Sequence, residues 1–145
     1  MTTKCLSPIP ANWPENMPNG GLERLSIAPS PGLDHSRENP FFLWVHVFDP
    51  HSPYDPPARF REKYSGRLYD GEVAYTDQQL GRLFTAVAAK APAGNTLIAV
   101  LPDHGESLAE HGEYTHGVFL YDSTLRIAFL LGGPGVPAGL VWKYS

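Results

Sequence analysis

The residues best suited to chemistry lie in two short segments, one around residue 51 and one spanning residues 103–116. Four of the six histidines lie in them, and each segment follows a run of apolar residues. In the second segment, DHGESLAEHGEYTH, Asp103 stands directly before His104, and a carboxylate beside a neutral imidazole offers two good donors for a divalent cation. A helix cap and an ordinary loop histidine would explain an isolated pair, but the clustering favours a site. The four histidines are His51, His104, His111 and His116.

The elements that must position these residues can be predicted from hydrophobic patterns. FFLWVHV at 41–47 is nearly continuously apolar, which predicts a strand covered on both faces, and 96–101 and 127–131 predict two further strands of the same sheet. Apolar residues at helical spacing predict an amphipathic helix over residues 70–90. The predicted fold class is therefore α/β, with a mostly parallel or mixed sheet flanked by helices.

The loops that follow parallel strands meet at one edge of a sheet. We therefore expect His51, Asp103, His104 and His116 to cluster at that edge, even without a metal. The remaining candidates have structural interpretations. We expect His46 to be a packed strand histidine. The core aromatic residues are expected to be Trp44, Tyr75 and Phe84. Glu110 and His111 are expected to shape the loop, and Glu106 to be a carboxylate that orients a ligand.

Composition excludes several classes of protein. The chain has 145 residues, 42% hydrophobic content and a net charge of −4. It has no block of like charge, which argues against a nucleic-acid partner. The apolar runs are too short to span a bilayer and no signal segment is present, so the cellular location stays open, with a periplasmic or secreted parent allowed. A single cysteine, Cys5, rules out an intramolecular disulfide.

Three segments of the chain resemble segments of bacterial sulfatases: FFLWVHVFDPHSPYDPP, YDGEVAYTDQQLGRL and DHGESLAEHGEYTHGVFLYDSTLRI. They stand in the family's order and at similar separations, over about residues 39–139. The resemblance implies the C-terminal part of a sulfatase catalytic domain, within the alkaline phosphatase superfamily. We accordingly expect an irregular Pro/Gly-rich arm at 1–39, a partial catalytic domain at 40–139 and a truncated tail at 140–145.

The resemblance also implies a mechanism and roles for single residues. Sulfatases use a formylglycine, made in a C-x-P-x-R motif upstream of the matched part, whose hydrate attacks sulfur while a divalent metal polarises the sulfate oxygens. Asp103 and His104 match metal ligands, and His51 and His116 match sulfate-contacting catalytic residues, either of which is a candidate general acid. The residues after Cys5, Leu-Ser-Pro-Ile, do not fit the motif. The chain alone should therefore lack sulfatase activity.

Two departures from the family pattern leave alternatives open. Many sulfatases have Asp-Asn where this chain has Asp103-His104, and an imidazole admits manganese or zinc besides calcium. Position 116 is often lysine, and histidine there would make the local charge depend on pH. Phosphonate and phosphate monoester hydrolases also use Asp-His, so a phosphoryl ester is an alternative to a sulfate ester. A non-catalytic metal-binding or interaction remnant is another. The substrate and oligomeric state are not determined by the sequence.

Overall fold

The structure is a computed structural model and describes residues 41–91, 94–114 and 116–141. The chain divides into two compact units between residues 92 and 93. The arm predicted at 1–39 lies outside the described residues, as do residues 142–145 of the predicted tail. Helices and a small sheet are both present, in agreement with the α/β class.

The first unit contains two helices, α1 (Ala58–Lys63) and α2 (Leu68–Lys90). The second confirms the helix predicted over residues 70–90. It ends at Lys90, and the following residue, Ala91, has an extended backbone with φ of −80° and ψ of 151°. The next residue is a proline, whose ring disfavours helical dihedrals in the residue before it. The proline therefore explains why α2 ends at this point in the sequence.

The segment at 41–48 packs against these helices through every second residue. Phe41, Leu43 and Val45 contact an apolar cluster in the second half of α2, and Val47 packs with the Phe60–Tyr75 pair. The residues between them are exposed. This two-residue alternation is the side-chain pattern of a chain lying flat against a surface with one covered face.

The structure corrects the predicted strand at 41–47 in two respects. Within the described residues the segment pairs with no other strand, and only one of its faces is covered. Trp44 is 62% exposed and takes no part in a core formed by the described residues, contrary to its prediction as a core aromatic. His46 is exposed as well, instead of packed in a strand interior. A run of apolar residues cannot show whether one face or two are covered, because the residue types are the same in both cases.

The buried face of α2 is lined by polar side chains in its first half and by apolar side chains in its second half. Glu72, Thr76 and Gln79 occupy its first half, and Leu83 and Val87 continue it at helical spacing. The apolar half holds the segment at 41–45. The polar half faces a loop, whose backbone donors and acceptors need partners once they are buried.

Gly71 allows α2 to approach that loop closely. A Cβ atom at this position would lie 2.9 Å from Cγ of Pro56 and 3.4 Å from Cβ of Tyr64. Pro56 is almost completely buried, and its ring cannot rotate away. Any larger residue at position 71 would therefore push the helix and the loop apart.

The second unit contains β1 (Ile98–Val100), α3 (Asp122–Leu125) and β2 (Leu130–Gly132). The strands pair antiparallel, with Ala99 opposite Leu131. The strand predicted at 96–101 is confirmed in its centre, whereas the one predicted at 127–131 begins only at residue 130. A parallel or mixed sheet is not seen among the described residues, whose sheet has these two antiparallel strands. In the same residues, no helix has the length and apolar character needed to cross a membrane.

The close approach at Gly71 can be tested with a pair of glycine substitutions in α2. We expect Gly71→Ala to lower the free energy of unfolding by about 1–3 kcal/mol, because its methyl group overlaps Pro56. Gly81→Ala meets nothing within 4 Å and should raise it by up to about 1 kcal/mol through helix propensity. Urea denaturation measures both, and equal effects at the two positions would contradict the packing described.

Candidate functional site

The loop at 103–116 is held together by hydrogen bonds to the carbonyl of Glu113. The buried Ser107 hydroxyl donates to this oxygen at 2.7 Å, and the Ala109 N–H donates to it at 3.0 Å. Two further amides, of Val118 and Phe119, donate to the Glu113 carboxylate at 3.0 and 3.4 Å. These contacts are made within the loop and with the residues that directly follow it.

Gly105 joins the start of this loop to α3. Its N–H donates to the carbonyl of Thr124 at 2.8 Å, and a Cβ here would lie 2.1 Å from the Ser123 carbonyl oxygen. Only glycine permits this approach without a movement of the backbone. The neighbouring His104 is therefore attached to a fixed point.

Two histidines and two carboxylates come together in this loop. The rings of His104 and His116 lie 3.8 Å apart between centroids, at an interplanar angle of 35°. His104 Nε2 is 3.6 Å from an Asp103 carboxylate oxygen, and His116 Nδ1 is 3.1 Å from Oε1 of Glu106. The Asp103 side chain is 83% exposed, whereas that of Glu106 is 7% exposed. The exposed carboxylate is available to a ligand and the buried one holds a histidine.

The protonation of the rings follows from their partners. His104 Nδ1 lies 2.7 Å from the Gly105 carbonyl, which can only accept, so this nitrogen carries the proton and Nε2 presents a lone pair in the neutral ring. Glu106 Oε1 likewise accepts a hydrogen bond from Nδ1–H of His116, and it also accepts one from the Ser107 N–H at 3.2 Å. The nitrogen of His104 nearer Asp103 is thus the one that can bind a cation.

His51 lies in the first unit, in the loop between the segment at 41–48 and α1. Its ring Nδ1 donates to the Ser52 carbonyl at 2.6 Å, and the ring contacts Phe48 at 4.2 Å between centroids. Its backbone N–H donates to Oε2 of Glu72 at 3.0 Å. The other oxygen of this carboxylate accepts the Asp55 N–H at 2.6 Å. The position of His51 is thus defined by its own loop and by α2.

Burial sets the acidity of two carboxyl groups in the first unit. It raises the pKa of Glu72, which is 2% exposed, against the opposing effect of its bonds to the Asp55 and His51 amides. It also raises the pKa of Asp49, which the nearby His51 lowers in part. In the second unit the pKa of Glu110 is lowered by its own backbone N–H and then by that of Leu108. This exposed residue thus shapes the loop, the role predicted for it.

The structure brings together three of the four residues predicted to form the site: Asp103, His104 and His116. His51 belongs to the other unit, and its approach to the three remains a prediction. Pattern analysis missed Glu72, Ser107 and Thr124 entirely. All three are buried polar residues, and Glu72 with Thr76 and Gln79 forms a stripe at helical spacing that could have revealed its role.

The same geometry tests whether a metal fits. Asp103 and His104 supply one oxygen and one nitrogen donor at 3.6 Å from each other, a pair that suits one divalent cation. Within residues 41–91, 94–114 and 116–141, no group of three or more histidine, cysteine, aspartate or glutamate side chains could hold a metal ion. The residues therefore fit as part of a coordination shell and not as a whole one.

Comparison with known proteins identifies the family. The family model described as Sulfatase matches residues 11–144, which is nearly the whole chain. The chain belongs to the sulfatase family. The match includes both histidine-bearing loops and confirms the resemblance carried by their motifs.

The relatives of this sulfatase-family chain are much longer proteins. It is 33% identical over 129 residues to iduronate 2-sulfatase from Homo sapiens, covering 82% of the chain and 23% of that protein. It is 24% identical over 166 residues to an arylsulfatase from Clostridium perfringens, covering 87% of the chain and 32% of that protein. The chain thus spans about a quarter to a third of the length of these curated relatives. No solved structure matches it.

The raised pKa of Glu72 gives a pH-dependent stability. Because the folded state holds this proton more tightly than the unfolded chain, folding is favoured below the ordinary pKa of 4.5, and that advantage is lost as pH rises through the folded pKa. The loss is at most about 1.4 kcal/mol per pH unit for the one proton. Glu72→Gln should remove this dependence of the free energy of unfolding on pH. Denaturation at a series of pH values from about pH 3 to about pH 8 measures it. Identical slopes in both proteins would disprove the assignment.

Proposed function

We propose that this chain forms part of the catalytic domain of a sulfuric ester hydrolase. The observation that carries the proposal is the contact between His104 and His116, each beside a carboxylate, in the loop that bears the sulfatase motif. Asp103 and His104 would supply two ligands of a divalent cation, which polarises the oxygens of a sulfate ester when bound. Calcium, manganese and zinc are all compatible with this pair of donors.

The two other histidines would act on the substrate. An imidazole N–H near the transferring group stabilises its negative charge, and a protonated ring can give its proton to the leaving oxygen. His116 is suited to this role because Glu106 fixes its ring through Nδ1. His51 is suited because its own loop and α2 hold its ring and backbone. We assign both to the sulfate-contacting set, and His51 would join the other three at the C-terminal edge of the completed sheet.

The exposed apolar faces support a partial domain. Phe42, Trp44 and Phe48 line the uncovered face of the segment at 41–48, each more than half exposed, and Phe129 and Leu130 of the second unit are exposed to a similar degree. Such faces are normally covered in a folded domain. We propose that further strands and helices of the catalytic domain cover them, which would place 41–47 in the mostly parallel or mixed sheet of the α/β fold.

The nucleophile and the remaining metal ligands would come from residues outside this chain. A formylglycine-bearing motif and additional carboxylates would complete the site, so the isolated chain should hydrolyse no sulfate ester. A phosphonate or phosphate monoester is the second candidate substrate, because the Asp103-His104 pair also suits that chemistry.

Metal binding can be measured on the chain itself. Titration with Mn²⁺ should broaden the backbone amide NMR signals of the residues around position 104, with weak affinity because the ligand set is incomplete. Asp103→Asn and His104→Ala should each weaken binding by about tenfold or more. His111→Ala is the matched control, since this exposed histidine of the same loop stacks on Tyr121 and should leave binding unchanged. Equal Mn²⁺ affinity in the unmodified chain and the three variants would contradict the assignment of Asp103 and His104 as metal ligands.

Turnover distinguishes the candidate functions. The 145-residue chain should show none with an aryl sulfate or an aryl phosphonate in calcium, manganese or zinc. A version extended upstream through a C-x-P-x-R segment and produced with the formylglycine-generating enzyme should turn over one of them, and His104→Ala should abolish that activity. Activity in the short chain that depends on His104 would show that the nucleophile lies within it. An extended protein that binds metal without turnover would favour the non-catalytic alternative.

A further inference from the structure

Glu72 is the most deeply buried charged side chain among the described residues, and it is not one of the residues proposed to contact metal or substrate. It is 2% exposed, yet both of its carboxylate oxygens are used. Oε2 accepts the backbone N–H of His51 and Oε1 accepts that of Asp55. A buried carboxylate is costly unless hydrogen bonds compensate for its lost hydration, so these two bonds account for its presence in the interior.

We propose that Glu72 is a positioning residue for His51, holding the histidine-bearing loop in place through both of its oxygens. The inference rests on the proposed role of His51 as a sulfate contact. It concerns the backbone of the loop, whereas the ring is oriented within the loop by Ser52 and Phe48. The His51 ring can keep a constant position only if the loop backbone that carries it is itself held in place.

The helix provides a rigid support for this contact. Thr76, one turn beyond Glu72, donates its hydroxyl to the Asp49 carbonyl at 3.4 Å. Together the two side chains hold the loop at three points from a single face of α2. An α-helix of 23 residues is far stiffer than a loop, so this attachment limits the movement of His51. The side chain of Asp55 also pairs with Arg61 of α1, which fastens the far end of the loop.

The chemistry at this point requires a carboxylate. Two backbone N–H groups approach, and a carboxylate offers an acceptor oxygen to each. A glutamine of the same shape offers one acceptor and one N–H₂ donor, which would face an N–H group and repel it. The isosteric change Glu72→Gln therefore removes at least one of the two bonds while filling the same space, and separates hydrogen bonding from packing.

Hydrogen exchange followed by NMR on the full 145-residue chain tests the contact. In Glu72→Gln, the amide of His51 or Asp55 should exchange about tenfold faster or more, the effect of losing a charge-assisted hydrogen bond. Amides in the second half of α2, such as that of Leu83, should keep their rates. Glu62→Gln makes the same chemical change at an exposed position of α1 and should alter neither loop amide. Unchanged exchange at both loop amides in Glu72→Gln would overturn the proposal.

A measurement on the unmodified chain covers the case in which the variant does not fold. Scalar coupling across the hydrogen bond should connect the amide nitrogen of His51 or Asp55 to the carboxyl carbon of Glu72. Loop amides that show no such coupling and exchange as fast as an unstructured peptide would refute the contact directly.

Inorganic sulfate serves as the probe of positioning. It should shift the ring signals of His51, with about fivefold or greater weakening in Glu72→Gln and none in Glu62→Gln, since a displaced ring loses part of a charge-assisted hydrogen bond. Sulfate affinity at His51 that is equal in all three proteins would refute positioning even if the hydrogen bonds exist. A third outcome is faster amide exchange in Glu72→Gln with no effect of sulfate on His51 in any of the proteins. That result would support the contact between Glu72 and the loop but would contradict the proposed role of His51 as a sulfate contact.

Discussion

A buried carboxylate organises each of the two histidine-bearing loops. Glu72 accepts hydrogen bonds from two backbone N–H groups of the loop that carries His51. Glu106 accepts one from a backbone N–H and one from the ring of His116. A loop that is partly buried has polar backbone groups which water no longer reaches. An acceptor with two oxygens satisfies several of them at once, and in doing so it determines where the histidine lies.

The two carboxylates differ in where they come from, and the difference affects how firmly each histidine is held. Glu72 belongs to a long helix, so its loop is tied to a stiff element distant in sequence. Glu106 belongs to the loop that it organises, which depends on buried Ser107, on the Glu113 carbonyl and on the contact of Gly105 with α3. The second arrangement is local and has fewer connections to a rigid body.

The chain matches only part of the length of its sulfatase relatives, and Asp103 and His104 fit only part of a coordination shell. The chain spans 23% of iduronate 2-sulfatase and 32% of the clostridial arylsulfatase. A site assembled from loops at one sheet edge draws its residues from the whole domain. The proposal that Asp103 and His104 are two ligands of a larger set agrees with this share of the length.

The sequence by itself determined the family and the helix over 70–90, and it placed a carboxylate and an imidazole side by side at Asp103 and His104. These features depend on local residue types and on the periodicity of a single helix. The tertiary structure alone decided that the segment at 41–48 has one covered face in the described residues, that Trp44 is exposed, and that the sheet there is a pair of antiparallel strands. It also revealed the partnership of Glu72 with His51, and it showed that Glu106, predicted from the sequence to orient a ligand, contacts His116. Those contacts join residues 21 and 10 positions apart, and hydrogen bonds across such separations depend on how the chain packs and not on any local pattern.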